Sequence, residues 1–397
     1  MASHLPHLTL KLALLDRGIE SFTIEYTSAS CVFRPGETVH GHIVITLKDA
    51  IKAKAVIVNM IGKAKTSWTV WEQYSSNRST HSEAIPYSAD EIYIDSQAII
   101  WHGKDGEKQL NPGVHRFPFL FTIPANCPPS YEGSVGFIRY YCKAKIDRPW
   151  KFDDTTRAGF TVLPHFDLNS VCYASIPMVK DFEKQIGFLC FKHGELNANV
   201  TLSKSGYVPG ERVVLTVEIT NGTTKNVARV ETALMEITTF TAHRGRLHHF
   251  HYGLGTRHSD TEKKKETRTV VQYIEEFKVS KNCNATYMRM LAIPPVVPSF
   301  NVKIVTQSHF NGSISGELPM LIGTIPVRHI VKPQTMTVLP NDYLVPPQPS
   351  TIEEDNVQPD KSVMYVDSVF GKGTLVEDKD DKSNGFTPKY IYYNDMQ

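Results

Sequence analysis

Every second residue is apolar over several stretches of this chain. Phe117, Phe119, Phe121 and Ile123 recur at that interval. So do Ile138, Tyr140, Cys142, Ala144 and Ile146, with Arg139, Tyr141, Lys143, Lys145 and Asp147 between them. Val213, Leu215, Val217 and Ile219 repeat the scheme against Val214, Thr216, Glu218 and Thr220. Successive side chains of a strand point to opposite faces, so each stretch predicts a strand with one dry and one wet side. That arrangement belongs to antiparallel sheets, and the Val, Ile, Thr, Tyr and Phe that dominate the runs suit a pleated surface. No stretch reads as an amphipathic helix of ordinary length. Short strands punctuated by Pro, Gly and Asn predict an all-β chain of sandwiches rather than βα units.

Two landmarks repeat. Phe33-Arg-Pro-Gly-Glu-Thr-Val39 returns as Tyr207-Val-Pro-Gly-Glu-Arg-Val213, an offset of 174 residues. Ile123-Pro-Ala-Asn-Cys-Pro-Pro-Ser-Tyr131 returns as Ile293-Pro-Pro-Val-Val-Pro-Ser-Phe300, an offset of 169–170. Nearly equal intervals imply a duplicated domain. In the Pro-Gly-Glu turn, Pro presets φ and Gly takes the conformation closed to other residues. The expected map is a first sandwich over 1–163, a connection over 164–194, a second sandwich over 195–331 and a tail over 332–397. The tail holds Val345-Pro-Pro-Gln-Pro-Ser350 and the charge run Glu377-Asp-Lys-Asp-Asp-Lys382. It reads as mostly disordered.

With 397 residues, 41% hydrophobic and 21% charged, the chain is long enough for two globular domains. Net charge is +2, but Asn341–Gln397 holds 11 acidic residues against five lysines, a net of −6, and the remainder carries +8. A mildly positive body with an acidic tail is not the profile of a nucleic-acid binder. It does suit acidic peptides or an anionic membrane surface. No apolar run reaches the length of a membrane-spanning helix, and the first residues do not read as a signal peptide. Six scattered cysteines without a Cys-x-x-Cys pair fit a reduced, cytosolic protein. Five Asn-x-Ser/Thr triplets, at Asn77, Asn199, Asn221, Asn284 and Asn311, point the other way, toward an extracellular module. Nucleophile elbow, His-Glu-x-x-His and phosphate-loop motifs are all missing, so neither an enzyme nor a cofactor is expected.

Taken in order, several of these stretches resemble the arrestins, and most closely the alpha-arrestins (arrestin domain-containing proteins). They are Arg34-Pro-Gly-Glu, Gly62-Lys-Ala-Lys65 with Trp68, Tyr131-Glu-Gly-Ser-Val135 with Arg139-Tyr140, and Asp147-Arg-Pro-Trp150. Asp167-Leu-Asn169, Gly206-Tyr-Val-Pro-Gly-Glu211 and Leu321-Ile-Gly-Thr-Ile-Pro326 complete the set, which spans about residues 20–330. The resemblance implies two tandem immunoglobulin-like antiparallel sandwiches, the arrestin fold. It also implies a cytosolic, non-enzymatic adaptor recruited to the plasma membrane and endosomes. Such an adaptor binds cytoplasmic regions of receptors or transporters, directs their endocytosis and, through Pro-Pro-x-Tyr tail motifs, recruits WW-domain ubiquitin ligases. Two other readings stay open: an extracellular pair of immunoglobulin-like modules, and a retromer-type coat subunit.

Two candidate sites follow. Lys52 and Lys54, Lys63 and Lys65, and Arg139, Lys143 and Lys145 recur at two-residue spacing. On neighbouring strands they would line one basic face, suited to acidic or phosphorylated cargo. The tail lacks Pro-Pro-x-Tyr, but Thr387-Pro-Lys-Tyr390 is a degenerate version, which makes Pro388 and Tyr390 candidate docking residues for a ligase. The full match, Pro128-Pro-Ser-Tyr131, falls inside the first sandwich, where Tyr131 is expected to be a buried turn aromatic. The histidines from His243 to His258 read as a long hairpin loop, and Lys263–Lys265 beside them as a possible lipid contact. Cys190 sits in an apolar cluster read as packing, with acylation as the alternative.

Overall fold

A computed structural model describes residues 18–76, 79–103, 109–150, 152–188, 191–244, 261–298, 302–307, 315–328, 363–371, 386–394 and 396. It is a two-domain β-sandwich structure, with one three-residue 3-10 turn, Leu168–Ser170, as the sole helical element among the described residues. Contacts divide the chain into two units. The first takes residues 1–164, 237–267 and 367–390, and the second takes 165–236, 268–366 and 391–397.

In the first unit the strands are β1 (Ile19–Tyr26), β2 (Val32–Phe33), β3 (Thr38–Leu47), β4 (Ile51–Lys52), β5 (Ala55–Ser76) and β6 (Ser79–His102). They continue with β7 (Gln109–Leu110), β8 (Gly113–Thr122), β9 (Tyr131–Glu132), β10 (Gly136–Asp147) and β11 (Asp154–Val162). One sheet runs β1-β3-β8 and the facing one β2-β11-β10-β5-β6. Their inner faces meet in a core of Ile43, Ile45, Phe119 and Phe121 against Val58, Met60, Tyr140, Cys142 and Phe160. The alternating residues of the sequence pattern are therefore the core, as their period requires. Tyr26 stands among Phe33, Phe119 and Phe160 at edge-on angles, and its hydroxyl donates to the Ala158 carbonyl at 2.6 Å. A buried phenol needs that partner.

The β5–β6 ladder slips twice, between Val56 and Ile57 and between Gly62 and Lys63. Each slip is one extra residue on β6, at Ile100 and Tyr93. Each reverses the side of the sheet that the following residues of β6 face. Ile94 is consequently buried, while Ile92 and Ile99 are exposed.

The second unit contains β12 (Met178–Phe188), β13 (Phe191–Leu202), β14 (Gly206–Tyr207), β15 (Arg212–Asn221) and the first part of β16 (Val227–Arg244). It adds most of β17 (Thr261–Val279), then β18 (Cys283–Ala292), β19 (Val302–Gln307) and β20 (Ser315–Ile322). One sheet runs β12-β13-β15-β18; the other contains β14, β20, β19 and β16, with β17 pairing β16.

The repeated landmarks bond to each other identically in both units. Gly36 N donates to Ile123 O at 2.9 Å and Ile123 N to Glu37 O at 2.9 Å. In the second copy Gly210 N donates to Ile293 O at 2.7 Å and Ile293 N to Glu211 O at 3.0 Å. Each turn is closed by its own glutamate, which accepts from Arg34 N at 2.7 Å and from Val208 N at 3.2 Å respectively. Each glycine has positive φ, +87° and +95°. The strand before each turn then pairs in parallel with the unit's last long strand, β2 with β11 and β14 with β20.

Two features add to the expected map. The connection over 164–194 contains a full strand: β12 pairs β13 from Met178 to Phe188. Its alternation is weak because Lys180 and Lys184 share the phase of Phe182 and Ile186. Inward-phase lysines of this kind are a device of edge strands; the Lys180 ammonium reaches the Glu317 carbonyl at 3.1 Å. Contacts also group Ile237–Thr267 with the first unit, where His243 pairs with Ser88.

Most of the tail lies outside the described residues, but two segments, 363–371 and 386–394, are ordered. They include β21 (Val363–Asp367) and β22 (Lys389–Tyr393), which pair as a two-stranded sheet.

Candidate docking surface

Register decides which of the basic residues meet. In the β5–β10 ladder Lys63 lies opposite Arg139 and Lys65 opposite Phe137. In the β10–β11 ladder Lys143 lies opposite Arg157 and Lys145 opposite Thr155. Lys63, Lys65, Arg139, Lys143 and Lys145 thus share the outer face, joined by Arg157, which sequence spacing did not single out. Lys52 and Lys54 are not part of it. Lys52 pairs with Gln109 on the short β4–β7 ribbon, and Lys54 precedes β5, its amide donating to the Asp147 carbonyl at 2.7 Å.

The five differ in what surrounds them. Arg139 is half of a largely buried ion pair, its guanidinium bonding both oxygens of Glu132 at 2.5 and 2.9 Å. The same guanidinium lies 3.9 Å from the centre of the Phe137 ring. This pair belongs to the structure, because removing either charge would strand the other out of water. Lys145 is bridged to Asp153 at 3.1 Å, and Lys65 faces Asp90 across the β5–β6 ladder. Lys63, Lys143 and Arg157 are grouped around Tyr141. Lys63 stands 5.9 Å and Arg157 5.7 Å from the Tyr141 ring centre, approaching from the strands on either side. Cations over an aromatic face are favourable. Like charges directly opposite each other, as in Lys143–Arg157 and Lys63–Arg139, are not.

The tail meets this face at its β11 edge. Phe386 packs over Gly159, the ladder partner of Tyr141, where a Cβ would stand 2.7 Å from the ring. Lys389 N donates to Thr161 Oγ1 at 3.1 Å, and the Tyr390 hydroxyl to the Ser130 carbonyl at 2.9 Å. Tyr390 is 2% exposed and Pro388 is buried. The expectation that Pro388 and Tyr390 present a free ligase-docking motif is therefore corrected: a WW groove needs both rings accessible, and both are packed into the first unit. Tyr131 is buried as expected, its hydroxyl 2.8 Å from Thr238 Oγ1.

Other candidates resolve as follows. Asn221 is buried and its side-chain nitrogen donates to three carbonyls, of Lys225, Val279 and Ser280. It is a structural turn residue rather than a glycan acceptor. Cys31, Cys127, Cys142, Cys172 and Cys283 are free thiols. Burial pushes the Cys142 thiol up to about 12, which leaves it a protonated core group and no nucleophile. His248, His249, His251 and His258, and Cys190, lie outside the described residues. His243 Nδ1 is 3.1 Å from Thr261 Oγ1. Among the described residues no group of His, Cys, Asp and Glu is arranged to hold a metal ion. An apolar cavity of about 380 Å³ in the second unit, lined by Tyr173, Ile176, Met178, Ser205 and Met320 among others, carries no ionisable carboxylate, amine or imidazole. No described helix is long and apolar enough to cross a membrane.

Comparison with known proteins matches residues 22–169 to the family described as arrestin (or S-antigen), N-terminal domain, and residues 192–327 to its C-terminal domain. A nematode relative, arrestin domain-containing protein 17 of Caenorhabditis elegans, is 31% identical over 211 residues, covering 52% of this chain and 49% of its own. Arrestin domain-containing protein 4 of Mus musculus is 26% identical over 317 residues, 76% of this chain and 71% of its own. Arrestin domain-containing protein 1 of Rattus norvegicus is 26% identical over 227 residues, 57% and 49% respectively. The chain thus spans about half the length of the nematode and rat relatives.

Proposed function

The chain belongs to the arrestin family, among the arrestin domain-containing proteins, and on that footing we propose that it is a non-enzymatic cytosolic adaptor for membrane proteins. Its first sandwich takes acidic or phosphorylated cytoplasmic segments of receptors or transporters on the β5-β10-β11 face. It thereby directs them into endocytic sorting at the plasma membrane and endosomes. The observation that carries this reading is the pairing of like charges on neighbouring ladders, Lys143 with Arg157 and Lys63 with Arg139, around Tyr141. A phosphate or carboxylate arriving there offsets the like-charge repulsion and accepts charge-assisted hydrogen bonds.

The test is the affinity of a labelled acidic phosphopeptide for the full chain as a function of salt. Changing Lys63 and Lys143 to Glu should weaken binding by tenfold or more, since a hydrogen bond to a charged group contributes about 1.5–3 kcal/mol. It should also flatten the salt dependence. Equal affinity of variant and parent would remove the reading.

The tail is the regulator in this proposal. Phe386 and Lys389 occupy the β11 edge of the same face, and the tail carries the sign of the cargo. Deleting residues 341–397 should tighten peptide binding at low salt; no change would dispose of the masking role.

A further inference from the structure

The outer face of the β6-β5-β10-β11 sheet changes character from one side to the other. On β10 and β11 it carries Arg139, Lys143, Lys145 and Arg157, with Lys63 and Lys65 beside them on β5. On β6, three consecutive outward rungs hold Asp95 opposite Ile61, Ile92 opposite Lys63 and Asp90 opposite Lys65. The far column therefore reads acid, aliphatic, acid, and β6 contains neither Lys nor Arg. The extra residue at Tyr93 sets this order, because it brings Asp95 and Ile92, three apart in sequence, onto adjacent rungs of one face. Ile92 is 67% exposed, and Ile61, one rung along, is half-buried between Asp95 and Tyr141. The other acids that reach this face stand with the cations. Asp153 bridges Lys145 at 3.1 Å, Glu132 is bonded by Arg139, and Asp147 lies opposite Ala55 at the far end of β10. The sign of the face thus runs from positive over β5, β10 and β11 to negative over β6, with an exposed aliphatic set between the two acids.

We propose that this face reads a composite signal in an extended cytoplasmic segment of the cargo. A phosphate or carboxylate sits over Lys63, Lys143 and Arg157, and a large apolar side chain three or four residues away covers Ile92 and Ile61. Asp90 and Asp95 reject a further acid at that second position. The inference rests on the adaptor reading and names the class of segment that the site takes. Charge complementarity decides the occupant: the cations hold the anion at one end, while at the other an acidic side chain meets a like charge and an apolar one gains contact with Ile92. The spacing follows from the sheet. Neighbouring strands lie about 4.8 Å apart, so β6 is about 10 Å from β10, and one rung along the strands adds about 7 Å. The diagonal of roughly 12 Å is three or four residues of an extended segment.

The experiment measures the affinity of the full chain for fluorescent peptides that carry one phosphoserine in a Ser/Gly background. A leucine is walked from one to six residues away on either side of the phosphate, and further peptides replace it with serine or aspartate. Leucine at the third or fourth place should bind roughly tenfold more tightly than serine there. Aspartate at the same place should bind about threefold more weakly than serine. In Ile92→Thr, which keeps a β-branched residue on an exposed rung, the gain from leucine should fall to about twofold while the serine peptide binds as to the parent. That pattern separates loss of the contact from loss of the fold. The double variant Asp90→Asn, Asp95→Asn should erase the penalty on aspartate. Leu120→Thr, which removes an exposed aliphatic from the facing sheet, should bind every peptide like the parent. Equal affinity for leucine and serine peptides overturns the proposal. So does a leucine gain that is independent of spacing or unaltered by Ile92→Thr. In each of those cases binding that is salt-dependent and lost on changing Lys63 and Lys143 to Glu leaves the adaptor reading standing. Binding that ignores the Lys63 and Lys143 changes, or no binding of any phosphopeptide, refutes that reading and this one together.

Discussion

Changing Gly36 or Gly210 to Ala makes the same chemical change in two copies of one turn, and the structure requires unequal costs. Both glycines are left-handed, at φ +87° and +95°, so each new Cβ incurs about 1–2 kcal/mol of backbone strain. At Gly36 nothing lies within 4 Å of the added carbon, and strain is the whole cost. At Gly210 the added carbon falls 2.0 Å from the Tyr393 carbonyl oxygen. Backbone at that distance has to move. Moving it forfeits two hydrogen bonds, Tyr393 N to Pro209 O at 3.1 Å and the Tyr393 hydroxyl to Thr324 O at 2.7 Å. At about 1 kcal/mol each, Gly210→Ala should cost about 2 kcal/mol more than Gly36→Ala. Amide exchange resolved by peptide reads the two copies separately, β3 and β8 for the first, β15 and β18 for the second. Removing residues 391–397 should abolish the excess, which makes the comparison a cycle with the tail as its second member. Equal costs in the intact chain, or an excess that survives truncation, would refute the placement of Tyr393 over the turn.

Three further outcomes are expected. Gly62→Ala places a carbon 2.6 Å from the buried Tyr140 ring and 3.0 Å from Ile94 Cγ1; overpacking should cost about 1–3 kcal/mol in urea titrations. Arg139→Met should cost about 3 kcal/mol by leaving Glu132 largely buried without its guanidinium, and adding Glu132→Gln should recover part of it in the same assay. Raising the pH should weaken the first unit. Burial lifts the Cys142 thiol from 9.0 to about 12, and burial followed by the nearby Glu91 lifts Tyr93 from 10.0 to about 12. The folded protein keeps protons that the unfolded chain releases, so this stability is full below about pH 9 and drains from there to about pH 12. Thermal midpoints across that range should fall, and Cys142→Ala should flatten the fall.

The duplication was legible because its landmarks are local. A Pro-Gly-Glu turn needs its own four residues, and the alternation of Ile138–Ile146 or Val213–Ile219 needs only a strand with one dry face. What escaped reading depends on partners far along the chain. β12 is masked by Lys180 and Lys184, whose long stems let the ammonium groups reach out of an inward phase. Arg157 carries no spacing signal and joins the basic face through its place opposite Lys143, just as Lys52 and Lys54 drop out through theirs. The Glu132–Arg139 pair was present in the quoted stretch, yet only the β9–β10 pairing shows it as a closed unit. Tyr390 looked like a linear motif because its partner, Ser130, lies 260 residues away, as the Thr161 that holds the neighbouring Lys389 lies 228 away.

The two slips on β6 have a consequence of parity. One inserted residue shifts the odd–even phase of a strand beyond that point, and a second restores it, so Tyr87 and Trp101 agree in phase while the stretch from Ile94 to Ala98 runs opposite to both. Loss of Tyr93 alone would put Ile92 and Ile94 on consecutive rungs opposite Lys63 and Gly62, with Ile92 still outward and Ile94 still inward. Either extra residue can therefore be lost without turning β6 over, whereas an insertion at a regular rung would have to be accommodated as a third slip.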